Sequence, residues 1–200
     1  MKKTMIIVAG LAAALKAAKE GFDVKLISSF PSERAQSVMA EGGINAALDT
    51  QKEGDSPKQH YEDTVNAGCG LADPNAVWNM TQAAPNLVRW LHRIGGQFNT
   101  CGFDEIDLRN LGGQKKKRTA FAKSDTGKQL MTAMIDAVRQ KEAEGSVERF
   151  SHHSFQTLLI HNGICLGCQI RDDYAGETLQ LAGNAVIIAS GGINGLFGDT

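Results

Sequence analysis

The sequence predicts an α/β fold with a strand–helix–strand opening, a helical insertion and a small β-meander. Three observations carry this. The first thirty residues read as strand, helix and strand. The middle of the chain holds capped amphipathic stretches. Residues 147–181 alternate apolar with polar, and a short apolar strand follows them.

Each element follows from local chemistry. Residues 5–8 (MIIV) form an apolar strand, 11–19 a helix and 23–28 a second strand, reached through the turn Gly21-Phe22-Asp23. The same start also has the layout of a secretory signal peptide: Lys2 and Lys3, an apolar run over 5–15, then small Ala17 and Ala18. Against export, Lys16, Lys19 and Glu20 stand where a cleavage region is neutral, and a second strand follows at once. The strand–helix–strand reading is preferred.

Residues 31–50 read as a loop running into a short helix, and 51–58 (QKEGDSPK) as a charged loop. A helix over 57–65 starts behind Ser56 as its cap. Another starts at Asp73-Pro74, with proline at its favoured first position, and runs to about Met80. A separate helix covers 84–94, with Leu87, Trp90, Leu91 and Ile94 on one face. Residues 95–123 are irregular and include the basic run Lys115-Lys116-Lys117-Arg118. That run lacks interleaved aromatics, in a chain of net charge −1, so it reads as a solvated loop and not a nucleic-acid patch. A long helix spans 127–144 with Leu130, Met134, Ala137 and Val138 inward. Residues 147–181 form a strand and hairpin meander with turns at His161-Asn162-Gly163 and Asp172-Asp173. Residues 184–190 (NAVIIAS) are a buried-type strand ending in Gly191-Gly192.

Composition narrows the function classes. At 42% hydrophobic and 22% charged, nothing points to nucleic acid or an acidic membrane surface as partner. No apolar run reaches the roughly 18–20 residues of a membrane span. Cys69, Cys101, Cys165 and Cys168 make no disulfide framework. Cys165-Leu-Gly-Cys168 has redox or zinc spacing, but no second pair accompanies it, and positions i and i+3 fall on opposite sides of a strand. His152, His153 and His161 likewise lack the constellation a metal needs. Paired glycines at 42–43, 95–96, 112–113 and 191–192 mark sharp turns or close approach to a ligand.

Four stretches then carry a family resemblance: SERAQSVMAEGGINAAL, HYEDTVNAGCGLADPNAVWNMTQAAPNLVRWLHRIGGQF, GGQKKKRTAFAKSDTGKQL and AVIIASGGINGLFGDT. Together they resemble the flavoprotein subunit of succinate dehydrogenase and fumarate reductase, and L-aspartate oxidase is similar over the same regions. The resemblance runs from Met5 to Thr200. It implies a Rossmann-like FAD-binding domain over residues 1–200, incomplete at this length. The capping and C-terminal helical domains, with the histidines and arginines that bind a dicarboxylate, would lie beyond it, so no catalytic residue is assigned. It also implies FAD as cofactor, a C4 dicarboxylate as substrate, and an iron–sulfur subunit and membrane anchor subunits as partners. The expected location is cytoplasmic, at the inner face of the cell membrane through those subunits. Two alternatives stand beside this: an L-aspartate oxidase, and a non-enzymatic fragment that no longer binds FAD.

The expected cofactor contacts follow from the resemblance and from the chemistry of dinucleotide sites. The G-x-G-x-x-G loop of such folds permits the tight turn and the approach of pyrophosphate to a helix N-terminus. Here VAG passes directly into LAAALKAA with only Gly10, about five residues short of the family pattern. The expectation is a βαβ unit packed across Gly10 with a damaged phosphate cradle. Ser28 and Ser29 stand where an acid often meets the adenosine ribose. The segment from Arg34 to Gly43 would wrap the flavin, with Ser37 and the N–H groups of Ala40, Glu41, Gly42 and Gly43 as donors. Gln36 occupies the position of the histidine that many relatives bond covalently to flavin; an amide cannot act as that nucleophile, so FAD would bind noncovalently. Phe155 and Gln156 would offer main-chain groups to adenine, and Ser190, Gly191 and Gly192 would meet the cofactor again.

Overall fold

The computed structural model describes residues 2–192. The chain folds as two units, one formed by Met1–Ala35 with Met134–Thr200 and the other by Gln36–Ala133.

The first unit opens as expected, with strand β1 (Thr4–Val8), helix α1 (Leu11–Lys19) and strand β2 (Asp23–Ser28). β1 and β2 run parallel, with Val8 beside Ile27, and α1 packs on both. Helix α1 turns Leu11, Ala14, Leu15 and Ala17 inward.

The second unit begins with a single 3₁₀ turn over Gln36–Met39 and a two-residue strand β3 (Ile44–Asn45). Helix α2 (Pro57–Ala67) starts behind Ser56, whose Oγ accepts from the Gln59 N–H at 3.2 Å. Helix α3 (Pro74–Arg93) starts behind Asp73, whose carboxylate accepts from the N–H groups of Asn75 and Ala76.

Here the expectation of two helices, broken between Met80 and Ala84, is corrected: α3 is continuous through Pro85. Proline forfeits one i→i−4 hydrogen bond. The loss is offset by an unbroken buried stripe of Val77, Thr81, Ala84, Pro85, Val88 and Leu91. That stripe also corrects the expected face, because Leu87 is 42% exposed while Val88 is fully buried. A window of eleven residues cannot show the phase that twenty residues fix.

The irregular region resolves into short strands β4 (Thr100–Cys101), β5 (Glu105–Ile106), β6 (Leu108–Arg109) and β7 (Thr119–Ala120). β4 and β5 pair as a hairpin, and β3-β7-β6 form an antiparallel sheet.

The basic run is not a solvated loop. Arg118 is 1% exposed, and its Nη2 lies 2.8 Å from Asp55 Oδ1 and 2.9 Å from Asp63 Oδ2. Lys116 donates to the Glu53 carbonyl, and Lys117 Nζ sits 3.5 Å from Glu53. The carboxylates come from loop 51–58 and from α2, so pairing distant in sequence gives the run its anchor.

Helix α4 (Thr126–Ala143) begins in the second unit and continues in the first. Val138 is buried as expected, but Leu130, Met134 and Ala137 are only half-buried, while Met131, Ala133 and Ile135 are buried. Its buried surface is broader than a single stripe.

The first unit is completed by β8 (Val147–Ser151), β9 (His153–His161), β10 (Ile164–Asp172), β11 (Thr178–Ala182) and β12 (Ala185–Ile188). β8 does not belong to the meander. It joins a parallel sheet of order β12-β1-β2-β8, because a strand that follows a crossover helix returns parallel to its neighbours. The meander is the antiparallel sheet β11-β10-β9, with Asn162 (φ 48°) and Gly163 (φ 76°) in the β9–β10 turn. One face of the parallel sheet meets it around Ile6, Val8, Ile27, Cys168, Ile170 and Leu181. Among the described residues no helix is long and apolar enough to cross a membrane.

Candidate functional site

Four parallel strands end along one edge of the first unit's sheet, and Gly10, Ser29, Ser190, Gly191 and Gly192 of the expected residues follow those ends, joined there by Ala9 and His152, which were not expected. Ala9 and Gly10 come after β1, Ser29 after β2, His152 after β8, and Ser190, Gly191 and Gly192 after β12. The registers Val8 to Ile188, Val8 to Ile27 and Ser28 to Ser151 bring these ends level. In open α/β sheets, ligands bind outside the carboxyl ends of the strands.

The turn between β1 and α1 is two residues long. Ala9 takes φ 63°, left-handed for a residue with a side chain, and donates its N–H to the Ile27 carbonyl at 2.8 Å. A Cβ on Gly10 would sit 3.2 Å from both Ala189 Cβ and Ile7 Cγ2, so any larger residue here would press on the chain just after β12. Helix α1 has no side-chain cap, and the N–H groups of its first turn are what this connection offers an anion.

Phe155 half-buries its ring in the core between meander and sheet. Gln156 is the bulged residue of β9: Phe155 pairs with Ile170 and Thr157 with Gln169, leaving Gln156 without a ladder partner. Arg34, expected as the first residue of the flavin-wrapping segment, belongs to the first unit and lines a cavity of about 550 Å³ together with Ser29, Phe30, His152, Ser154 and Tyr174.

In the second unit, Gln36, Ser37, Ala40, Glu41, Gly42 and Gly43 are all exposed along one segment. Its carbonyls are tied down. Gly127 N–H donates to the Ala40 carbonyl at 2.6 Å, and Arg109 donates to those of Glu41 and Gly42 at 3.0 and 2.6 Å. Thr126 Oγ1 donates to the Glu41 carbonyl at 3.3 Å. No described residue accepts from the N–H groups of Glu41, Gly42 or Gly43, so the segment presents an edge of free donors.

The two glycines differ. A Cβ on Gly43 (φ 117°) would sit 2.5 Å from Thr119 Cγ2 and 2.6 Å from the Ala120 carbonyl oxygen, so strand β7 demands that glycine. A Cβ on Gly42 would meet only Leu111 Cδ1, at 3.8 Å. The open approach is at Gly42.

Arg109, Thr126 and Gly127 escaped the sequence reading. Arg109 is held over the Phe121 ring at 4.6 Å, and a Cβ on Gly127 would collide with the Ser37 and Ala40 carbonyls. The Thr-Gly pair at a helix start was the available signal; nothing local marked Arg109.

Cys165 and Cys168 are free, and burial, followed by the neighbouring Cys165, pushes the Cys168 thiol up. Within the first unit the strand ends suit a dinucleotide, with the β1–α1 turn as the narrow point; within the second, the free N–H edge and open Gly42 suit an acceptor-bearing ligand.

Comparison with known proteins gives the family. The family described as FAD binding domain matches residues 8–199. The succinate dehydrogenase flavoprotein subunit of Bacillus subtilis is 39% identical over 99% of this chain and 35% of its own length. The L-aspartate oxidase of Caulobacter vibrioides is 35% identical over 96% of this chain and 37% of its own. The solved E. coli quinol fumarate reductase FrdA superposes with a TM-score of 0.85 at 27% identity, over 96% of this chain and 33% of that one. The chain thus spans about a third of the length of the relatives it matches. It belongs to the FAD binding domain family, among the FAD-dependent oxidoreductases that include the succinate dehydrogenase and fumarate reductase flavoprotein subunits.

Proposed function

We propose that residues 1–200 are the N-terminal part of the FAD-binding domain of a succinate dehydrogenase or fumarate reductase flavoprotein subunit. The observation that carries this is the free N–H edge of Glu41–Gly43, anchored from behind by Arg109 and Thr126. Such an edge suits an electron-rich, oxygen-bearing ligand that backbone can approach closely. FAD, when bound, supplies hydride transfer to or from a C4 dicarboxylate.

The chain's own residues bind and orient. The strand ends of the first unit would hold the dinucleotide, with Ser28 and Ser29 toward the ribose and the Phe155 and Gln156 main chain toward the adenine. The N–H groups of Glu41, Gly42 and Gly43 would donate to the ring edge, while Arg109 and Thr126 occupy the Glu41 and Gly42 carbonyls behind it. Gln36 offers no nucleophile, so the cofactor is held noncovalently. The pyrophosphate relies on the first turn of α1, which makes it the weakest part of the site. Electrons pass to an iron–sulfur subunit, and membrane anchor subunits bring the assembly to the inner face of the cell membrane.

The visible spectrum of the purified chain tests this. Flavin bands that leave with the supernatant on acid precipitation support noncovalent FAD; a folded, colourless chain that takes up no added FAD refutes it. Gln36 also favours a second reading, an L-aspartate oxidase working without an iron–sulfur partner. Co-purification of an iron–sulfur protein at native expression decides between the two.

A further inference from the structure

The turn after β10 places a carboxylate where β2 lacks one. Ser154 Oγ lies 2.7 and 2.8 Å from the two oxygens of Asp173, and 3.3 Å from Ser29 Oγ. An ionised carboxylate only accepts, so Ser154 gives its single hydroxyl proton to Asp173. The Ser154 oxygen then accepts from Ser29. This fixed direction leaves unused lone pairs on Ser29 Oγ and on Asp173.

Those acceptors stand at the end of β2. Dinucleotide folds set an aspartate or glutamate there to receive the hydroxyls of the adenosine ribose. This chain has Ser28-Ser29-Phe30 instead. The acid comes from 144 residues further along the chain, counting from Ser29 to Asp173, and reaches the same place through Ser154.

The surroundings are built for such a group. The Asp173 N–H donates to the His152 carbonyl at 2.9 Å, which holds the carboxylate against β9. Asp172 Oδ1 accepts from the N–H groups of Tyr174 and Ala175 at 2.8 and 3.0 Å, and those two bonds hold its carboxyl below the usual range. The turn is thereby fixed with Tyr174 against His152, ring centroids 4.7 Å apart. Both rings line the cavity that Ser29 and Asp173 share.

We propose that Asp173, acting through Ser154 and Ser29, is the ribose acceptor of an adenosine subsite in this cavity, with His152 and Tyr174 as its aromatic wall. The assignment rests on the FAD reading above for its ligand, while the shared chemistry, an adenosine diol, also belongs to free adenine nucleotides.

Calorimetric titration of the purified chain with FAD, ADP, 2′,3′-dideoxy-ADP and FMN tests it, for wild type, Asp173→Asn and Ser29→Ala, each checked for an unchanged melting temperature. A hydrogen bond to a charged group is worth about tenfold in affinity. Asp173→Asn and Ser29→Ala should each weaken FAD and ADP about tenfold and leave FMN, which lacks adenosine, unchanged. Wild type should lose about tenfold on dideoxy-ADP, and Asp173→Asn should lose nothing more. FAD bound equally by wild type and both variants overturns the relay while leaving the flavin reading standing. ADP bound with the expected variant losses, but no FAD, supports the subsite and refutes the flavin reading. Binding of neither overturns both.

Discussion

Removing the guanidinium of Arg118 should cost the second unit a large part of its stability. Its side chain is 1% exposed and one nitrogen serves two carboxylates, those of Asp55 and Asp63, which are 1% and 9% exposed. In Arg118→Met the hydrocarbon volume is largely kept, so the loss is electrostatic. The buried Asp55 carboxylate is left without a cation and Asp63 keeps only the exposed Lys115, 3.7 Å away, a change worth about 3–5 kcal/mol when one partner of a buried ion pair is deleted. Against a urea dependence of about 2–3 kcal/mol per molar, that moves the midpoint down by about 1–2.5 M.

The assay is urea unfolding followed by tryptophan fluorescence, since both tryptophans, Trp78 and Trp90, lie in the second unit. Acidification supplies an internal check. Burial already pushes the Asp55 carboxyl up, against the pull of Arg118. A raised carboxyl pKa means stability present at low pH and lost as pH rises through it, so the deficit of the variant should be largest near neutrality and shrink on acidification. A midpoint shift under about 0.3 M, or a deficit that is flat with pH, would show that the pair contributes nothing beyond what its neighbours supply.

Three further outcomes are expected. Gly43→Ala places a methyl against Thr119 and the Ala120 carbonyl at a positive φ and should cost more than about 2 kcal/mol. Gly42→Ala should leave the melting temperature within a degree or two and instead weaken FAD binding. Ala9→Gly relieves a left-handed alanine and should raise stability by up to about 1 kcal/mol, and inserting a GGLAG segment after Gly10 should tighten FAD, measured by flavin fluorescence. His60 is buried, and burial followed by nearby Arg118 holds its imidazole below the usual value near 6.5. The unfolded chain therefore binds the proton more readily, and stability present above about pH 6.5 should fall on acidification by up to about 1.4 kcal/mol per unit, a slope His60→Gln removes.

Elements governed by local chemistry were legible. Helix 11–19 and strand 23–28 needed only apolar spacing and a glycine turn, and Ser56 and Asp73 announced their helices through a side chain one turn from its target. What escaped depends on distant partners. Pro85 looks like a stop until Val77 and Thr81 show that the buried stripe continues. Arg118 sits in a run of lysines that suggests solvent, yet Asp55 and Asp63, some sixty residues earlier, decide its fate. The site divides along the same line. Exposed glycine pairs were visible in sequence, whereas the backing of the 36–43 segment by Arg109 and Gly127 exists only once α4 and β6 are in place.

β1 lies between β2 and β12, and its Thr4 N–H is received by Asn184, 180 residues further on. The strand can find β2 almost as soon as it is made, but its other edge must wait. At about 5–20 residues per second of synthesis, that wait is roughly ten to forty seconds. Throughout it, Met5, Ile6, Ile7 and Val8 present an open, apolar strand edge, the kind of surface on which nascent chains recruit chaperones or pair with one another. The second unit is made inside that interval, so residues 36–133 can settle before the first unit's sheet is closed.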